Sequence, residues 1–172
     1  GVTTPCVQAV TKQLQNEFRA PSAYFAEKNI GPVVSGGRSR LGSNKAVLAR
    51  VEKRTGVPGR FLLGIWGRES GFGSARIPYN AFEVLATKAF MSTRKDMFTE
   101  ELVAALVMAQ HAGIPLSHMK SSWAGALGQP QFLPTSYLEH AADGDGDGKA
   151  DIWDSNADVL ASMANYLAKS GW

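Results

Sequence analysis

The sequence predicts a mainly α-helical globule, and three observations carry that expectation. Apolar residues recur at helical spacing in one window after another, few runs alternate with period two, and glycine or proline punctuates the windows. The chain has 172 residues, 44% of them apolar, and a chain of this size buries roughly 70% of the surface its unfolded form exposes. A single domain can therefore form without disulfide or metal staples.

In chain order, residues 1–43 hold one amphipathic stretch at 7–18, then a loop-like run at 31–37 whose Gly31, Pro32, Gly36 and Gly37 break periodicity. These residues read as an N-terminal arm, and residues 44–172 as the main unit. Ser43 or Asn44 is placed to cap a helix through Val47, Leu48, Val51 and Glu52 that stops near Gly56. Pro58 suits the first turn of the next helix, which carries Phe61, Leu62, Ile65 and Trp66. Glu69 follows Ile65 by four and Leu62 by seven, which puts it on the buried stripe. Further helices are predicted over 81–90, over 96–112 with Leu102, Leu106 and Ala109 inward, over 135–142 and over 158–169.

Composition excludes several functions. The 18 basic and 15 acidic residues leave a net charge of +3, with no block of five Lys or Arg, which gives nucleic-acid recognition little support. The longest apolar runs, 61–67 and 102–109, fall far short of the roughly 20 residues a membrane-spanning helix needs. Cys6 has no partner for a disulfide and reads as structurally incidental. The chain starts at Gly1, with neither Met nor a signal-peptide pattern, so it reads as a processed or trimmed form. His111, His118 and His140 lack mutual metal spacing and read as surface or helix-end residues; the five methionines read as core fillers. Nucleotide-binding and acyl-transfer signatures are absent.

Chemistry is suggested first by Glu69, which opens the turn Ser70-Gly71-Phe72-Gly73-Ser74. A carboxyl group where an apolar helix face meets a glycine-rich turn is partly withdrawn from water, which raises its pKa and fits it to donate a proton to a glycosidic oxygen. Gly71 and Gly73 would let a polymer approach the backbone. The competing reading pairs Glu69 with Arg68, Arg76 or another cation. A second segment, 121–137, mixes small residues, Gln129 and Gln131, Trp123, Phe132 and Tyr137, and two prolines. Amides that bond sugar hydroxyls and aromatic faces that stack on pyranose rings make a carbohydrate groove, although each aromatic alone reads equally as a core anchor. Glu83, Glu100, Glu101 and Glu139 read as solvated helix charges, leaving no second carboxylate with a motif of its own.

The runs 64–73 (GIWGRESGFG), 122–137 (SWAGALGQPQFLPTSY), 145–154 (DGDGKADIWD) and 164–167 (ANYL) occur in the order seen in the membrane-bound lytic murein transglycosylase B family, which this sequence resembles from about residue 44 onward. The resemblance implies a lysozyme-like helical fold and a peptidoglycan substrate cut between N-acetylmuramic acid and N-acetylglucosamine. It also implies that Glu69 is the single acid/base and that 1,6-anhydromuramoyl ends are formed. Ser122, Gln131 and Phe132 match groove positions, and Tyr166 with Asn165 beside it matches the sugar cleft. A monomer working in the periplasm or cell envelope is the corresponding expectation. A goose-type lysozyme-like hydrolase, and a wall-binding module without turnover, are the rival readings.

The acidic run 143–154 has carboxylates at loop positions 1, 3, 5, 9 and 12 and glycine at 6, the pattern of an EF-hand-like calcium loop. Asp143, Asp145 and Asp147 would ligate Ca²⁺ through side chains and Lys149 through its carbonyl. Asp154, or Asp158 four residues on, would close the loop. The expected role is structural.

Overall fold

A computed structural model describes residues 25–172, and every structural statement below concerns those residues. The amphipathic stretch 7–18 and Cys6 lie outside them. The elements are α1 (Glu27–Ser43), α2 (Lys45–Thr55), α3 (Gly59–Ser70), strand β1 (Tyr79–Asn80), α4 (Ala81–Met91), α5 (Lys95–His111), a 3₁₀ turn (Leu116–His118), β2 (Lys120–Ser121), α6 (Pro134–His140) and α7 (Asn156–Lys169). Among the described residues no helix is long and apolar enough to cross a membrane.

Local chemistry explains most of the boundaries. Gly56, in the left-handed conformation at φ 75°, ends α2, and Pro58 immediately precedes α3. Asn80 starts α4 by accepting from the backbone N–H groups of Phe82 and Glu83, and Ser155 starts α7 by accepting from that of Asp158. Asn44 does not cap α2 through its side chain; its amide turns back to donate to the carbonyl of Arg40 at 2.9 Å. The two short strands pair antiparallel, Tyr79 opposite Ser121 and Asn80 opposite Lys120. Two further bridges, Ser121 with Leu127 and Leu127 with Phe132, curl the segment between β2 and α6 back on itself. Trp66, Leu62, Leu85, Met108, Met119, Leu127, Ile152 and Leu160 are fully buried where α3, α4, α5, α7 and this curl meet.

The run 31–37 is not a loop. It lies inside α1, Pro32 included, and α1 docks on α3. The glycines that argue against a helix locally are what permit the docking. Gly36 lies where an added Cβ would strike the Phe72 ring, and at Gly67 across the interface a Cβ would sit 2.6 Å from that ring and 2.9 Å from Val33. Close approach of two helices over an aromatic ring outweighs poor intrinsic propensity.

Two other expectations also need correction. The buried face of α5 is Phe98, Glu101, Ala104, Ala105 and Met108, whereas Leu106 is 55% exposed. Glu101 is no solvated charge: it is buried, and its two carboxylate oxygens accept from the Thr135 N–H at 2.9 Å and the Thr135 hydroxyl at 2.7 Å, fastening the first turn of α6.

Candidate active site

Helix α3 ends in a left-handed pair, Gly71 at φ 55° and Phe72 at φ 59°, with the Phe72 N–H bonded to the carbonyl of Trp66. Phe72 then folds its ring edge-on against Trp66 at 5.5 Å. Glu69 sits in the last turn of this anchored helix. Leu62, Leu63, Trp66, Gly67 and Ser70 take the buried face, so Glu69 is not on the buried stripe. It stands at the rim with its side chain reaching solvent and lines a cleft of about 280 Å³.

The cleft brings Glu69 together with Gln131, Phe132 and Tyr166. Gln131 adopts φ 58° and donates its side-chain N–H to the Gly128 carbonyl at 2.9 Å, closing the turn that presents it. Phe132 is 7% exposed and faces the Tyr166 ring at 5.6 Å; Tyr166, 39% exposed, packs edge-on against the buried ring of His140 at 4.9 Å. Ser122 and Asn165 are not brought into the lining. The Ser122 hydroxyl accepts from the N–H groups of Ala124 and Ala126 and shapes the curl, while Asn165 donates to the His140 carbonyl at 2.9 Å and ties α7 to α6. Tyr137 belongs to the core, and the Trp123 ring lies under the Lys88 ammonium, whose pKa burial pulls below its ordinary value.

The spacing missed several lining residues. Ile65 lies one helical turn before Glu69, Met163 and Leu167 lie one turn apart on α7, and Leu133 and Ser136 flank the start of α6. The i, i+4 interval from Glu69 could have found Ile65; Met163 was assigned to the core and serves both. At Gly71 and Gly73 the space a Cβ would fill is taken by other side chains, Ser74 at the first. Gly73 is backed by Gln129, whose amide oxygen would lie 2.5 Å from an added Cβ.

Partial burial against this apolar lining raises the Glu69 pKa above its ordinary 4.5, with the neighbouring Arg68 guanidinium pulling the other way. Among the described residues lining the cleft, Glu69 is the only carboxylate. The arrangement can hold one proton beside an apolar surface with a single amide and a single phenol at hand. It lacks the carboxylate pair that a two-carboxylate glycosidase uses.

The acidic loop lies elsewhere. Carboxylate oxygens of Asp143, Asp145 and Asp147 lie within 4.8 Å of one another, a spacing that one hard cation with oxygen ligands can span. Asp143 accepts from the N–H groups of Gly146, Gly148 and Asp145, and those donors hold its pKa below 3.8. Lys149 is tied to the loop by its N–H, which donates to Asp147 at 2.8 Å. Asp154 and Asp158 do not join the trio. Asp154 faces His118 at 3.4 Å, with Asp151 on the same imidazole at 3.5 Å, so His118 is no isolated surface histidine. Asp158 is buried and closes the loop by hydrogen bonds instead, accepting from Gly144 N–H at 2.7 Å and Asp151 N–H at 2.8 Å. Its pKa is raised, first by burial and further by Asp145 and Asp143. The Tyr137 phenol donates to the loop carbonyl of Ala150 at 2.8 Å and is pushed up to about 12 by burial and by Asp151 and Asp158.

Comparison with known proteins matches residues 3–172 to a family described as the transglycosylase SLT domain, a match that includes most of residues 1–43. Membrane-bound lytic murein transglycosylase B of Escherichia coli (strain K12) is 37% identical over 118 residues, covering 68% of this chain and 32% of that protein. The crystal structure of SltB3 from Pseudomonas aeruginosa, in complex with NAG-NAM-pentapeptide, superposes with a TM-score of 0.85 at 41% identity over 97% of this chain and 44% of that one. The Escherichia coli lytic transglycosylase Slt35, in complex with calcium, gives a TM-score of 0.77 at 30% identity, covering all of this chain and 50% of that one. The chain thus spans about a third of the curated relative and about half of the solved ones.

Proposed function

The chain belongs to the transglycosylase SLT domain family, and on that premise we propose that it cleaves the β-1,4 bond between N-acetylmuramic acid and N-acetylglucosamine in peptidoglycan, with Glu69 as the only acid/base. The observation that carries this reading is the cleft in which Glu69 is the lone carboxylate among the described lining residues, with its pKa raised by partial burial. Glu69 passes its proton to the glycosidic oxygen as the muramoyl C1–O bond breaks. The muramoyl 6-hydroxyl closes on C1, and its proton returns to the Glu69 carboxylate. No water is consumed, and a 1,6-anhydromuramoyl end results. Gln131 would bond a sugar hydroxyl or acetamido group, and the exposed Tyr166 ring would stack on a pyranose with the buried Phe132 ring behind it. Ser122 and Asn165 serve the reaction by holding the curl and α7 in place.

Within the arm of residues 1–43, the described helix α1 docks on α3 and would brace the catalytic unit of residues 44–172. Asp143, Asp145 and Asp147 fit Ca²⁺, with the Lys149 carbonyl as a further oxygen and Asp158 fastening the loop from behind. The ion would supply structural cross-linking and no chemistry at Glu69. The setting is the periplasm or cell envelope, with the protein acting on glycan strands as a monomer.

Mass spectrometry of the fragments released from purified peptidoglycan by the parent and by Glu69→Gln tests the proposal. Anhydromuramoyl products from the parent alone are expected. Reducing muramic ends would instead indicate a lysozyme-like hydrolase, and binding to sacculi with no released fragments a wall-binding module.

A further inference from the structure

Gln129 lies outside the cleft lining, yet it touches three segments that the reaction depends on. Its side-chain oxygen accepts from the Trp66 indole N–H at 2.7 Å, and its side-chain nitrogen donates to the Trp153 carbonyl at 2.6 Å. Its own backbone N–H donates to the Ile152 carbonyl at 2.9 Å. Trp66 is fully buried and stands three residues before Glu69 on α3. Trp153 and Ile152 belong to the exit of the acidic loop, and Pro130 and Gln131, which follow Gln129 directly, line the cleft. Behind it, Gly73 leaves just enough room for the amide.

The demand on this position is specific. An indole N–H can only donate and a backbone carbonyl can only accept, so a bridging side chain must offer one acceptor and one donor at opposite ends. A primary amide of glutamine length meets both demands. A carboxylate would face the Trp153 carbonyl with no hydrogen, and an apolar side chain would leave two buried polar groups unpaired.

We infer that Gln129 is a positioning residue: it locks the catalytic helix, the Gln131 turn and the acidic-loop exit into one register, so that Glu69 is held at the cleft wall at the depth its task requires. The inference rests on Glu69 being the acid of the proposed reaction. Losing the bridge frees α3 to rotate by a fraction of a turn, which moves a carboxyl at the rim toward solvent.

Two variants of the full chain test this. Gln129→Met keeps length and approximate volume and removes both side-chain bonds; Trp66→Phe keeps a buried aromatic ring and removes the indole donor together with part of the ring's volume, a packing loss that the melting requirement monitors. Both are first required to melt cooperatively. The Glu69 carboxyl carbon is then titrated by NMR, and steady-state rates of fragment release are measured as a function of pH. The expected result is a Glu69 titration moved down toward the ordinary carboxylate range and kcat about tenfold lower with KM within about twofold, because the loss is of orientation rather than of binding. The basic limb of the pH–rate profile should move the same way, and the double variant should be no worse than the poorer single one, since both break the same link. A Glu69 titration and a kcat unchanged in both folded variants would overturn the inference, as would a rate loss that merely tracks the unfolded fraction. If the parent releases no fragments, the proposed function fails, and the titration alone decides whether Gln129 sets the environment of Glu69.

Discussion

Glu69 and Asp143 each sit beside a glycine-rich turn, and the molecule treats them in opposite ways. Glu69 shares its cleft with Ile65, Phe132, Met163 and Leu167, and partial burial there raises its pKa. Asp143 faces the backbone N–H groups of Gly146, Gly148 and Asp145, which hold its charge and lower its pKa. Glycine is therefore not the feature that sets the chemistry. What matters is whether the turn presents its own N–H groups to the carboxylate or stands aside while side chains crowd it. The first arrangement suits a carboxylate that keeps its charge and the second one that keeps its proton.

The largest expected effect comes from neutralising Glu69, the proposed acid/base. Glu69→Gln keeps the shape and loses the titratable group, so fragment release should fall by about 10²–10⁴-fold with melting little changed. Unchanged release would dissolve the contrast between the two carboxylates as one of function. Next comes Asp143, the proposed cation ligand. With Ca²⁺ present at about 100 times its Kd, chelation should withdraw roughly 2.7 kcal/mol and lower the melting temperature by about 5–10 °C. Asp143→Asn should erase that difference, and a chelator-insensitive parent would remove the loop from the metal side of the comparison.

A smaller effect tests the brace behind Glu69. Gly36→Ala drives a methyl group into the Phe72 ring and should cost about 1–3 kcal/mol in urea unfolding. A neutral result would mean that α1 does not hold α3.

The smallest effects are linked to pH and carry opposite signs. A folded pKa raised above the unfolded value makes the native state hold the proton longer, so the Glu69 contribution to stability is present below about 4.5 and is lost as pH rises through the folded value. Glu69→Gln should accordingly melt slightly higher than the parent at neutral pH, with the gap closing in acid. For Asp143 the folded pKa is depressed, so its contribution is present above about 3.8 and disappears as pH falls through the folded value. Asp143→Asn in chelator should melt lower than the parent at neutral pH and match it in strong acid. Scans at several pH values that gave both differences the same sign would contradict the assigned environments.

The legible parts of the molecule were those governed by neighbours in the chain. Helices α2 to α7 follow apolar spacing and have local start and stop signals, such as Asn80 at the start of α4 and Gly56 at φ 75° at the end of α2. The cleft residues Glu69, Gln131, Phe132 and Tyr166 stand in motifs whose order was readable, and the structure gathers them at one wall. The illegible parts were set by contacts across the chain. Helix α1 forms against its own propensity because Gly36 and Gly67 admit the Phe72 ring, and Glu101 is buried because Thr135, 34 positions later, supplies both its donors. Leu106 points outward because Ala104 and Ala105, the smaller residues, occupy the buried face of α5.

Periodicity, caps and motif order were enough to establish a mainly helical chain with one distinctive glutamate and one acidic loop, because each depends on residues within a few positions of one another. Tertiary structure alone decided that Glu69 stands at the rim of a cleft rather than in the core. It also turned Asp154 to His118 instead of to the acidic trio, and placed one buried amide, Gln129, between α3 and the acidic-loop exit. The physical reason is the same in each case: the burial of a polar group, and the partner that satisfies it, come from residues tens of positions away, and only the folded chain brings them within hydrogen-bonding reach.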